Sequence, residues 1–116
     1  MVHSTKVKKL TMHPKAREAI QGFPEDVKDR MGFALREIQK GYVLGMPRSR
    51  SMPTLGMGAA ELRIRGEDGI YRTFYYTKAE EAVLVFHAFV KKTQKTPVLE
   101  IELGKKRLKE LLNEKS

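Results

Sequence analysis

The chain contains no cysteine, which excludes a disulfide framework and any thiolate-held metal and leaves stability to packing alone. That absence suits a reducing cytosol. Nor does any stretch approach the ~18 consecutive apolar residues of a membrane span. The N-terminal segment alternates basic and apolar types without the apolar centre of a signal peptide. A cytoplasmic protein with no membrane partner is therefore expected.

Metal and nucleotide chemistry also lack their usual residues. His3, His13 and His87 show no ligand spacing, and no paired carboxylates stand inside an apolar strand, which argues against zinc and magnesium. Gly56-Met57-Gly58 has neither the longer glycine pattern nor the lysine of a phosphate-cradling loop. No cofactor is expected. Internal repeats and low-complexity tracts are absent as well.

Acidic residues are scarce where basic ones gather. Lysine and arginine total 23 against 14 acids, a net charge of +9 and a pI near 9.9, a bias that favours polyanionic partners. Residues 1–23 hold five basic residues and one acid. Residues 41–60 hold Arg48 and Arg50 with no acid, and residues 84–99 hold Lys91, Lys92 and Lys95 with no acid. Elsewhere the signs nearly cancel, so the surplus is concentrated in an N-terminal segment, a long loop and a strand end, as in a binding footprint.

At 116 residues the chain is the size of one domain, residues 1–116, long enough to bury roughly two thirds of its unfolded surface. Residues 7–10 read as a short first strand, and His13-Pro14 separates it from a helix with Ala16, Ala19 and Ile20 on one face. Pro24 suits the first position of a second helix, with Glu25 and Asp26 in its positive first turn. Phe23, Val27, Met31, Ala34, Leu35 and Ile38 recur at helical spacing, and Gly41 supplies a stop.

Residues 41–60 read as a loop, with four glycines, two prolines and no periodicity. Three strands follow, over 61–65, 70–77 and 82–90, joined by turns short enough to imply antiparallel neighbours. Thr96-Pro97 starts a last helix over 97–113, with Gly104 interrupting its apolar stripe. The expected fold is α+β: two N-terminal helices packed on a small antiparallel sheet, plus a C-terminal helix.

Strand alternation puts Glu61, Arg63 and Arg65 on one face of the first of the three strands, and Arg72 with Tyr76, Ile70 and Phe74 on one face of the second. In the third strand His87 shares a face with Val83, Val85 and Phe89. Pairing of the three could bring Arg63, Arg72 and His87 together, beside the strand-end lysines. Such a group suits RNA cleavage by a 2′-hydroxyl attacking the adjacent phosphate, which needs a base, an acid and cations but no metal. Histidine titrates near neutrality, and arginine grips phosphate with two prongs.

Each residue also has a structural reading. His87 could be a hydrogen-bonded strand histidine, Arg63 and Arg72 could pair with Glu61 across the sheet, and the lysines could be a solvated turn. Tyr71, Tyr75 and Tyr76 could be packing residues, or stack on bases where exposed.

Four segments, FPEDVKDRMGFALREIQKG (23–41), ELRIR (61–65), YRTFYY (71–76) and FHAFVKKTQKTP (86–97), carry a resemblance. The chain resembles the HigB-like, phage-derived-protein branch of the RelE/ParE toxin superfamily. The resemblance implies a RelE-like fold and a type II toxin, an endoribonuclease cutting messenger RNA, commonly on the ribosome, restrained by a cognate helix-turn-helix antitoxin. Arg63, Arg72, His87, Lys91 and Lys92 would then be catalytic, and Arg65, Tyr76, Phe89, Lys95, Arg48 and Arg50 would contact RNA. Fold alone does not settle activity: the ParE branch poisons gyrase, and a non-enzymatic RNA-binding or ribosome-binding protein is a further alternative.

Overall fold

The computed structural model describes residues 7–92 and 95–114; His3 and Lys6, counted above, lie outside the described residues. The chain order is β1 (Lys9–Met12), α1 (Pro14–Gln21), α2 (Glu25–Gln39), β2 (Ser49–Ser51), β3 (Ala59–Gly66), β4 (Gly69–Tyr76), β5 (Ala82–Lys91) and α3 (Val98–Glu114). The strands form one sheet in the order β1-β5-β4-β3-β2. Neighbours are antiparallel except β1, which lies parallel to β5.

The sheet is thus mixed where an antiparallel one was expected. The parallel strand is the short first strand expected over 7–10; it starts at Lys9, two residues later than the apolar pattern indicates, and its Leu10 and Met12 pack against the core. His13 caps α1: its backbone is extended and its Nδ1 accepts the Lys15 N–H at 3.1 Å. Pro24 stands one position outside α2 as its cap, and Glu25 opens the helix. Gly41, at φ +102°, turns the chain away after α2, a conformation that favours glycine.

Helices cover both faces. One core joins Ala16, Ile20 and Phe23 and the α2 stripe Val27, Met31, Ala34, Leu35 and Ile38 to Leu62, Ile64, Tyr71, Tyr75, Val83, Val85 and Ala88. The opposite core joins Leu108 and Leu111 of α3 to Phe74, Leu84, Phe86 and Phe89, with Met52 and Leu55 from the long loop. That loop also holds β2, whose register follows its partner β3 and not any pattern of its own. Tyr71 and Tyr75 are buried and Tyr76 is half-buried, which makes the first two packing residues.

A bulge in β5 sets the geometry of the site. Phe74 pairs with His87 but Tyr75 pairs with Val85, so Phe86 is one residue more than β4 can match. Val83 and Val85 face α1 and α2, whereas Leu84, Phe86 and Phe89 face α3, and Ala88 faces α1 and α2 again. The expectation that His87 shares a face with Val83 and Val85 is corrected here. The extra residue reverses the alternation, so His87 reaches α3 with Phe89.

Gly104 is where α3 meets the sheet most closely: a Cβ built there would stand 2.8 Å from a Phe74 ring carbon and 3.1 Å from Leu55 Cδ2. Gly32, inside α2, has nothing within 4 Å of the same position. Gly104→Val should destabilise the fold by about 1–3 kcal/mol through overpacking. Gly32→Ala should stabilise it by about 0.4–1 kcal/mol. Urea unfolding of both variants checks the opposite signs.

Candidate active site

Strand pairing brings an acid and three arginines onto the α3 face of the sheet. Arg50 of β2 opposes Glu61 of β3, Glu61 opposes Phe74, and Arg63 opposes Arg72 of β4. The Glu61 carboxylate is fully buried and would be costly there without compensation. Arg50 Nη2 lies 3.4 Å from its Oε1, Arg63 Nε 3.6 Å from the same oxygen, and Arg72 Nη1 3.4 Å from Oε2. Thr96 donates its hydroxyl to Oε2 at 2.8 Å and accepts from Arg72 Nη1 at 2.9 Å and Arg50 Nη2 at 3.3 Å.

Three guanidinium groups therefore converge on one carboxylate, and these four side chains carry a surplus of positive charge. Access to them is unequal. The Arg72 side chain is fully buried, that of Arg63 is 13 % exposed and that of Arg50 39 %. Burial, followed by the nearby charge of Arg72, lowers the Arg63 pKa from its ordinary value, and Glu61 opposes both. Arg72 fixes the carboxylate from below, while Arg50 and Arg63 form the part an incoming anion could reach.

His87 stands next along the same face and is held by α3. Its Nε2 lies 2.7 Å from Glu100 Oε1, and Arg107 Nη1 lies 2.7 Å from its Nδ1. A guanidinium can only donate, so Nδ1 accepts and the ring proton sits on Nε2, donated to Glu100. The ring, 3 % exposed, also contacts Phe74 and Phe89, with centroids at 5.4 and 5.3 Å. Burial is the largest influence on its pKa and lowers it, Glu100 raises it through the hydrogen bond, and Arg107 lowers it further. The imidazole is neutral, oriented and covered.

Strand pairing does bring His87, Arg63 and Arg72 to one face, as the sequence suggested, but not into an open pocket. Both ring nitrogens of His87 are engaged by α3 and Arg72 is beneath the surface. Phe89 is buried in the same cluster and Tyr76 packs at its margin, so neither offers an open stacking face. Lys91 is exposed at the end of β5, 4.0 Å from Glu100 Oε2; Lys92 and Lys95 are exposed beyond it. Arg48 and Arg65 are also exposed, at the far edge of the sheet.

The pairing of Arg63 and Arg72 with Glu61, which the sequence offered as their structural reading, is present, but sequence reasoning missed the part of Arg50 in it and did not single out Thr96, Glu100 or Arg107. Glu61 carried the available signal, as an acid on the inward face of a strand with two arginines at alternate positions. The α3 residues carried none, because their approach depends on the bulge. Among the described residues no three histidine, cysteine or acidic side chains gather to hold a metal ion.

Glu61→Ala should cost about 3–5 kcal/mol in urea unfolding, because it leaves buried guanidinium charge without its carboxylate. His87 predicts a pH dependence. The unfolded chain takes up a proton near the ordinary value of 6.5, but the folded chain resists it, so stability is full above that pH and is lost as pH falls below it. Urea midpoints should drop between about pH 7.5 and about pH 5.5, and the drop should shrink in His87→Gln.

A family model described as phage derived protein Gp49-like (DUF891) matches residues 18–109. No curated protein matches the chain by sequence. Among solved structures, an arginine-to-alanine double mutant of the E. coli toxin RelE in the free state superposes with a TM-score of 0.51 at 16% identity, covering 90% of this chain and 98% of that one. A chain of the toxin-antitoxin complex RelBE2 from Mycobacterium tuberculosis gives a TM-score of 0.47 at 16% identity, covering 79% of this chain and 100% of that one.

Proposed function

The chain belongs to the Gp49-like family of phage-derived proteins and has the fold of the toxin RelE, and from that premise we propose that it is the toxin of a type II toxin-antitoxin pair, an endoribonuclease that cuts messenger RNA without a metal. Its partners on this reading are a cognate helix-turn-helix antitoxin, the messenger and the ribosome. The observation that supports it best is the convergence of Arg50, Arg63 and Arg72 on Glu61, on the sheet face that also carries His87. Lysines 91, 92 and 95 rim the same end of the sheet.

The chemistry transfers no atom to the protein except protons. The 2′-oxygen bonds to phosphorus and the bond from phosphorus to the 5′-oxygen breaks; one proton leaves the 2′-hydroxyl and another reaches the departing oxygen. Arg63 and Arg50 grip the phosphate and stabilise its growing negative charge, with Arg72 and Glu61 holding them in place. Lys91 and Lys92 add positive charge at the rim. Arg48, Arg65 and Lys95 hold more distant phosphates.

His87 moves a proton, and its neutral form keeps a lone pair at Nδ1 for that task. Arg107 occupies this lone pair and Glu100 the opposite nitrogen while α3 is docked. The Arg107 and Glu100 side chains must therefore release the ring for His87 to act. Phe89 supports the ring, and on this reading Phe89 and Tyr76 become RNA-facing only once the ring is released.

Purified protein added to translating ribosomes should fragment messenger RNA, and any cutting of free RNA should persist in a metal chelator. Arg63→Ala should lower kcat/KM by about 10²–10³, the usual effect of losing one donor to a developing oxyanion. Intact messenger with and without ribosomes, together with full toxicity of the variant, would overturn the assignment. The covering of His87 favours one other reading, an RNA-binding protein that makes no cut. That reading requires salt-sensitive RNA affinity that persists in His87→Ala, with no fragments from the unmodified protein.

A further inference from the structure

Beyond the Glu61 cluster, two adjoining cavities share the side chains of Arg48, Arg63 and Arg65. One, of about 230 Å³, adds Pro47 and Ile70; the other, of about 440 Å³, adds Asp29, Arg30, Phe33 and Ile64. They meet because β2 is short. Its pairing with β3 ends at Ser49 and Leu62, and the Arg63 N–H is taken by the Arg48 carbonyl at 2.7 Å, so β3 beyond that point is an edge of the sheet. The groove begins at Arg63, wraps this edge and ends on the flank of α2.

Its far wall is Phe33, which the core does not use. The buried stripe of α2 is Val27, Met31, Ala34, Leu35 and Ile38, whereas Phe33 is 58 % exposed. Arginines surround it. Arg30 Nη2 donates to the Arg65 carbonyl at 2.8 Å and lies 3.3 Å from Asp26 Oδ2, while Arg48 has only a long contact, 3.9 Å, to Glu37. Four guanidinium groups and one exposed ring line a channel in which Asp29 is the acid among the described lining residues, with Asp26 and Glu37 behind Arg30 and Arg48.

We propose that this groove holds the single-stranded RNA that flanks the cut, with Phe33 stacking on a base and Arg30, Arg48 and Arg65 following the phosphates. The proposal rests on the nuclease reading: a strand gripped at Arg63 must leave the site, and the arginine-lined exit starts at that residue. A channel bent around a sheet edge fits an unpaired strand and not a stiff duplex, and a ring among cations is the platform such strands use. An acidic protein segment would be drawn by the arginines but has no use for the exposed ring.

The chain has no tryptophan, so Phe33→Trp places its sole indole in the groove. Titration with an uncleavable 2′-O-methyl oligoribonucleotide should quench that emission. Phe33→Ala should weaken binding by about tenfold and Phe33→Tyr should restore it. Arg48→Ala with Arg65→Ala should lower the slope of log affinity against log salt by about 1.4. The groove is refuted if the labelled oligonucleotide binds, by fluorescence anisotropy, without change in indole emission or in the arginine variant. Failure to bind at all also refutes it, as does loss of antitoxin binding alone in that variant. Cleavage separates the two claims. Quenching without fragments keeps the groove and removes the nuclease, and fragments cut equally by Phe33→Ala do the reverse.

Discussion

One surplus residue, Phe86, decides which side of the sheet carries the imidazole. An uninterrupted β5 would send His87 toward α1 and α2 with Val83 and Val85, into the apolar layer they share with Leu35 and Ile38. The bulge instead aligns it with Arg63 and Arg72 and within reach of Glu100 and Arg107. Bulges recur where a side chain must be re-aimed, and here the redirected pair is His87 and Phe89. The contacts of His87 with Glu100 and Arg107 follow from that reversal, whereas the Glu61 cluster is set by the pairing of β2, β3 and β4.

Glu61 and His87 are buried polar groups with different purposes. Glu61 is surrounded by Arg50, Arg63, Arg72 and Thr96, an arrangement that holds guanidinium groups in fixed positions at the cost of desolvating a carboxylate. His87 ties the sheet to α3, and its burial there lowers the pKa of the ring. The close approach of Gly104 to Phe74 and the apolar contacts of Leu108 and Leu111 complete the closure. Cations are thus exposed at the rim while the imidazole stays covered.

Much of the fold was legible because its signals are local. The α2 stripe, the glycine after α2, the three antiparallel strands and the last helix all follow from period, turn residues and breakers over short windows. The parallel pairing of β1 and the short β2 were not legible, since each owes its register to a partner far along the chain. For the site, alternation along β3 and β4 placed Glu61, Arg63 and Arg72 together, but a one-residue insertion is invisible to a period-two pattern. His87 was therefore placed with the wrong neighbours, and the Glu100 and Arg107 contacts could not be foreseen.

The sharpest measurement of the proposed nuclease is the chemistry of the ends found on a defined messenger incubated with the protein. Attack by a 2′-hydroxyl under the control of fixed cations must leave a 2′,3′-cyclic phosphate, or the monophosphate it opens to, facing a 5′-hydroxyl. Fragments with those ends are expected. Fragments with 5′-phosphate and 3′-hydroxyl ends, the mark of water attacking from the other side, would contradict the role assigned to Arg63 and His87.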